Sequence, residues 1–172
     1  MVFVSLLEST TQGFLVTTVN ATDADGNITY AITGGTGRGT FDINSQTGEI
    51  RLLLALNHEL ISNYFLTVSA FDNSIVNPLS ARVNINIDVI NVNDEHPVIL
   101  PQGIEQIVIN EDQQLSVPIQ TYSCTDPDGG VHVSFSLSPQ NSPFAISLDG
   151  EIILETALDV DIQDNYVLDI IC

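Results

Sequence analysis

The chain has 172 residues, 44% of them apolar, and carries 22 acids against 3 bases for a formal net charge of −19. That apolar share is enough for a core and excludes disorder. The charge excludes nucleic acid and simple docking on anionic lipid, and it favours divalent cations.

Helix signals are nearly absent and strand signals are frequent. In chain order, alternation and turn residues predict strands at Val2–Leu7, 14–21, 28–32, Phe41–Ile43, 49–53, a stripe of Tyr64, Leu66, Val68 and Ala70, and 82–89. The last is the clearest. Val83, Ile85, Ile87 and Val89 share one face, and Arg82, Asn84, Asn86 and Asp88 share the other, as in a half-buried antiparallel strand. Gly34-Gly35, Gly37, Thr47-Gly48 and Asn77-Pro78 mark turns. Seven short strands so spaced predict a β-sandwich with Greek-key connections. A short junction follows, Asn91-Val92-Asn93-Asp94-Glu95-His96-Pro97, without a Gly/Ser run, and Pro97 holds His96 extended. Beyond it, strands are predicted at 104–109, 115–123, 131–137, 144–147, Glu151–Leu154 and 165–172. No counterpart of 82–89 follows, so the expectation is a truncated second sandwich with an open edge and lower stability.

The acidic clusters occur twice. Glu8, Asp23, Asp25 and Phe41 recur about 100 positions later as Glu111, Asp126, Asp128 and Phe144. Gly48, Glu49, Ile50, Leu56, Glu59 and Tyr64 recur as Gly150, Glu151, Ile152, Leu158, Asp161 and Tyr166. A fixed period of this size means two copies of one domain, placed at 1–95 and 96–172. Crowded carboxylates cost solvation energy, and repeated crowding points to a cation that offsets it. The alternative is an acidic surface that only keeps the protein soluble. No apolar run approaches the ~20 residues of a membrane helix. The start is too short for a secretory signal and lacks a basic flank. The chain then reads as a fragment of a longer array or as a cytosolic protein.

Ca²⁺ takes six to eight oxygen ligands, and no EF-hand spacing is present here. Ligands must therefore converge from separate segments: Glu8, Glu59 and Asn93-Asp94 from the first copy, Asp126 and Asp128 from the second. With Leu7-Glu8, Ala21-Thr22-Asp23-Ala24-Asp25, Phe41-Asp42-Ile43, Thr47-Gly48-Glu49-Ile50, Leu56-Asn57-His58-Glu59, Leu66-Thr67-Val68-Ser69-Ala70-Phe71-Asp72 and the junction in order, the sequence resembles tandem cadherin repeats. The second copy carries Glu111, Thr125-Asp126-Pro127-Asp128, Gly150-Glu151-Ile152 and Leu158-Asp159-Val160-Asp161.

That resemblance implies an all-β fold of tandem Greek-key, immunoglobulin-like sandwiches. It also implies ligand roles. Glu8, Asn57, Glu59, Asn91, Asn93, Asp94 and the Glu95 carbonyl would bind calcium with Asp126 and Asp128. Asp23, Asp25 and Asp72 would face a preceding repeat, and Glu111, Asp159 and Asp161 a following one. The family usually has Asp at positions 57 and 91 and Asn at 95, so this linker is expected to bind fewer ions or to bind them more weakly. Asn57 and Asn91 as plain turn residues remain the alternative. Cys124 and Cys172 replace the Ala21 and Ala70 of the first copy, each two residues before a family calcium position. A disulfide and two buried thiols both stay open. Asn20-Ala21-Thr22 and Asn27-Ile28-Thr29 are N-glycosylation sequons.

No zinc-protease spacing, nucleophile elbow or phosphate loop is present, and His58, His96 and His132 read as loop or surface residues, so an enzyme is not expected. The resemblance implies calcium-dependent, commonly homophilic cell–cell adhesion at the extracellular face of the plasma membrane. Its partners would be other cadherin repeats in cis and trans, with no small-molecule substrate and any membrane anchor outside these residues. The chain has no Trp, which members that exchange an N-terminal strand use as an anchor. The alternatives are a calcium-rigidified spacer in a large surface protein and a microbial adhesin.

Overall fold

A computed structural model describes residues 1–24, 28–72, 78–129 and 134–172. Asp25, Asn27 and His132 lie outside the described residues, as do Asn77 of the Asn77-Pro78 turn and the start of the strand expected at 131–137. Among the described residues every regular element is a strand. The chain divides into two units, Met1–Asn93 and Asp94–Cys172.

The first unit contains β1 (Val2–Leu7), β2 (Leu15–Thr18), β3 (Thr29–Gly34), β4 (Phe41–Ile43), β5 (Glu49–Leu52), β6 (Asn63–Phe71) and β7 (Ser80–Ile90). They form two sheets, ordered β1-β7-β6-β3 and β2-β5-β4. β6 and β7 pair antiparallel along their length, from Asn63↔Asp88 to Phe71↔Ser80, and β1 lies parallel to β7. The alternation read in 82–89 sets which face is buried. Ile85 and Ile87 are fully buried with Leu66, Val68 and Val89, against Phe41, Ile50 and Leu52 of the other sheet. Each such side chain contributes about 1.5–3 kcal/mol relative to exposure. The strand expected at 14–21 pairs only as β2. A register shift between Leu15 and Thr17 interrupts the ladder, and Val19 N donates to Gly48 O at 3.0 Å. Gly48 itself sits at φ +69°, and a Cβ there would stand 2.1 Å from Val19 O. Only glycine fits that turn.

The second unit contains β8 (Val98–Leu100), β9 (Pro118–Thr121), β10 (Ser123–Thr125), β11 (Ser136–Ser138), β12 (Phe144–Ile146), β13 (Glu151–Leu154) and β14 (Asp169–Ile171). Its sheets are β12-β13-β9, β11-β14 and β10-β8. The copies share detail. Phe41 and Tyr64 make an edge-to-face pair with centroids 5.4 Å apart, and Phe144 and Tyr166 repeat it at 5.3 Å. Gly150, at φ +79°, repeats the close approach of Gly48, here to Tyr122 O.

Two expectations are corrected. Residues 104–109 form no strand, and Ile104 and Val108 are almost fully exposed. Their counterpart β1 is held by β7, and the 172 residues contain no second copy of β7 to pair with. The strand expected at 115–123 is split at Tyr122, which is buried and donates its N–H to Gly150 O at 2.8 Å. On one side β9 pairs with β13. On the other β10 pairs with β8, a strand with no alternation long enough to read in sequence.

Candidate metal centre

Glu8 directly follows β1 and is a buried carboxylate, 5% exposed. Burial of a carboxylate requires partners. Its Oε2 accepts the His58 N–H and its Oε1 accepts the Val92 N–H, each at 2.6 Å. These are charge-assisted bonds to a fixed anion. The Glu8 N–H in turn donates to Ile90 O at 3.0 Å. One side chain thus ties the end of β1, the turn after Leu56 and the chain leaving β7.

The turn supplies the second acid. Asn57 organises it: Oδ1 accepts the Leu60 N–H at 2.7 Å and its carbonyl accepts the Ile61 N–H at 3.0 Å. Asn57 thus takes part in the turn's own hydrogen bonding. His58 Nδ1 lies 2.7 Å from Val89 O. His58 is a half-buried loop residue that holds the turn in place. Its position between Asn57 and Glu59 was the available signal. Glu59 then presents a carboxylate oxygen within 4.8 Å of one from Glu8. Both Glu59 oxygens and Asn91 Oδ1 are shielded from solvent. Two anions so close, one of them buried, repel by about 3 kcal/mol at an effective dielectric near ~20.

In the second unit Asp94 and Asp128 likewise bring carboxylate oxygens within 4.8 Å. The loop after β10 is closed by Asp126, whose Oδ1 accepts the Asp128 N–H at 2.9 Å and whose carbonyl accepts the Gly129 N–H at 3.1 Å. Asp128 Oδ2 accepts the Glu95 N–H at 2.8 Å, which draws the start of this unit to the loop. Asn93, Asp94 and Glu95 are exposed. Every donor in these two pairs is an oxygen, the set that hard divalent cations such as Ca²⁺ prefer.

The remaining acids sit elsewhere. Asp23 is exposed, and Asp72 Oδ1 accepts the Leu79 N–H at 3.0 Å. Glu111 Oε2 accepts the Val160 N–H at 3.4 Å, repeating the Glu8–His58 bond in looser form. Asp159 Oδ1 accepts the Asp161 N–H at 3.0 Å.

A family model described as "Cadherin domain" matches residues 3–90. The chain belongs to the cadherin family. It is 32% identical over 179 residues to the fruit-fly protein "Fat-like cadherin-related tumor suppressor homolog", covering 93% of this chain and 4% of that protein. It is 33% identical over 178 residues to human "Protocadherin alpha-1", covering 96% of this chain and 18% of that one. The cadherin chain thus spans a small part of these relatives. Among solved structures, "Crystal Structure of Mouse Cadherin-23 EC22-24" superposes with a TM-score of 0.79 at 27% identity, over 97% of this chain and 55% of that one. The tandem Greek-key sandwich reading therefore holds for this cadherin chain. No helix among its described residues is long and apolar enough to cross a membrane.

Proposed function

We propose that the chain is a calcium-binding stretch of extracellular cadherin repeats that serves calcium-dependent, commonly homophilic, cell–cell adhesion, with other cadherin repeats as its partners. Calcium binding is carried by one observation, the Glu8–Glu59 carboxylate pair, in which Glu8 is fixed by two backbone amides. In the Asp94–Asp128 pair, Asp128 accepts the Glu95 N–H. The two pairs would supply carboxylates to ions shared across the linker, with Asn57, Asn91, Asn93, the Glu95 carbonyl and Asp126 completing the shell. Asp23, Asp25 and Asp72 would serve a preceding repeat, and Glu111, Asp159 and Asp161 a following one. The ion is structural. Without it like charges repel; with it the state that holds the ligands together is stabilised by mass action.

Each Asn in place of Asp removes a charge, so the linker would hold fewer ions or hold them less tightly than one with the full acidic motif. The test is calorimetric titration with calcium, paired with thermal unfolding. Saturable binding with a raised Tm, lost in Asp94→Ala plus Asp128→Ala, is the expected result. Absence of binding at several millimolar calcium ends the shared-ion reading.

A second reading, a rigid spacer without adhesive contact, draws support from the outward row of β7, where Arg82, Asn84 and Asp88 are exposed and polar. Thr33 Oγ1 and Ser69 Oγ are 2.8 Å apart, and Asn86 Nδ2 donates to Asp88 Oδ1 at 3.1 Å. The same outer face of the β1-β7-β6-β3 sheet also exposes Phe3, Leu7, Phe71 and Ile90, which suits an adhesive contact. Coated beads that clump with calcium and disperse with chelator favour adhesion; beads that stay dispersed favour the spacer.

A further inference from the structure

Cys124 and Cys172 form a disulfide. Cys124 lies in β10, two residues before Asp126, and Cys172 directly follows β14. Their counterparts in the first unit are Ala21 and Ala70. There no covalent link is needed. β6, which contains Ala70, is paired on both edges, with β3 and β7. Among the described residues its counterpart β14 is paired with β11 alone, over three residues. The loop that follows Cys124 is tied by three short bonds: Asp128 N–H to Asp126 Oδ1, Gly129 N–H to Asp126 O, and Glu95 N–H to Asp128 Oδ2. β10 itself is a three-residue strand against β8. The disulfide is thus a covalent anchor for a loop that the ladder holds weakly.

We propose that the Cys124–Cys172 disulfide positions the Asp126–Asp128 loop for its cation, so that the second unit's share of the calcium site depends on redox state. This rests on the calcium reading above. A dithiol reductant delivers two electrons and two protons, the S–S bond breaks into two thiols, and the reductant closes into a cyclic disulfide. The loop is then free to leave the geometry that presents Asp126 and Asp128. Groups that orient metal ligands characteristically change affinity by about 10-fold or more when lost.

Calcium titration of the whole chain, oxidised, reduced with a dithiol, and as Cys124→Ala plus Cys172→Ala, tests this. The double variant restores the alanines of the first unit. The expected result is binding about 10-fold weaker in the reduced and double-alanine forms. Equal affinity in all three overturns the proposal and leaves the calcium reading intact. Absence of binding even in the oxidised form removes both. Hydrogen exchange in chelator separates positioning from general support of the fold. The Glu95, Asp128 and Gly129 amides should lose protection on reduction while those of β9, β12 and β13 keep theirs. Loss of protection in all of them means the bond holds up the whole unit, and the positioning role is wrong.

Discussion

Buried polar atoms in this chain are placed by specific partners, and Tyr122 shows the consequence for pH. Its hydroxyl donates to Glu105 Oε2 at 3.0 Å from an 8% exposed side chain. Burial first, then the bond to Glu105 and its charge, push the phenol above its ordinary value of 10.0. The folded state therefore favours the protonated phenol. That contribution to stability is complete below the unfolded value and is lost as pH rises through the raised folded one. The chain's three bases are arginines, so no lysine titrates in the same window. Tyr122→Phe should unfold at a Tm less sensitive to pH above about 10 than the parent does, as thermal melts across alkaline buffers would show. A parent and variant that lose stability in parallel would mean the pair is not formed in solution. Tyr122 was legible only as part of a strand; its pairing with Glu105 needs the 101–110 segment to lie off the sheet.

At the scale of elements, the strength of a strand follows how many edges it pairs. β7 is central, flanked by β1 and β6, and its Ile85 and Ile87 are fully buried. Ile85→Ala should cost about 2–5 kcal/mol in the first unit by lost burial and a residual cavity. Denaturant unfolding followed by a probe in that unit would measure it, and a cost below about 1 kcal/mol would mean the core collapses around the gap. β7 was also the strand most legible in sequence, because strict alternation over a long run has only one physical solution. β8 was invisible for the opposite reason. It is three residues long and half-buried, and it exists because β10 offers it an edge.

At the scale of the whole molecule, the described residues form two hydrophobic cores rather than one. The first is built around Leu66, Ile85 and Ile87, the second around Leu154, Ile152 and Phe144. Separate cores unfold as separate cooperative units. Calorimetry in chelator should therefore resolve two transitions. Leu154→Ala should lower one and Ile85→Ala the other, each leaving its neighbour unmoved, because sites without shared partners add independently. A single transition shifted by both variants would show that the cores melt together. The repeat predicts this division before any coordinates, since a copied set of core residues is a copied core.

What was readable without coordinates was whatever repeats or alternates: the two copies, the sandwich class, β1, β4, β7 and β13, and the acids themselves. Period and alternation are local, so the chain states them outright. Convergence is not local. Nothing in the string says that Glu8 accepts amides from His58 and Val92, residues far along the chain from it, or that Asn57 spends its side chain on the Leu60 amide. Nor does it say that Cys124 reaches Cys172 or that residues 104–109 lie unpaired. Those outcomes depend on which edges remain open once the ladders have formed, and a buried carboxylate takes whichever N–H groups the closed fold leaves beside it.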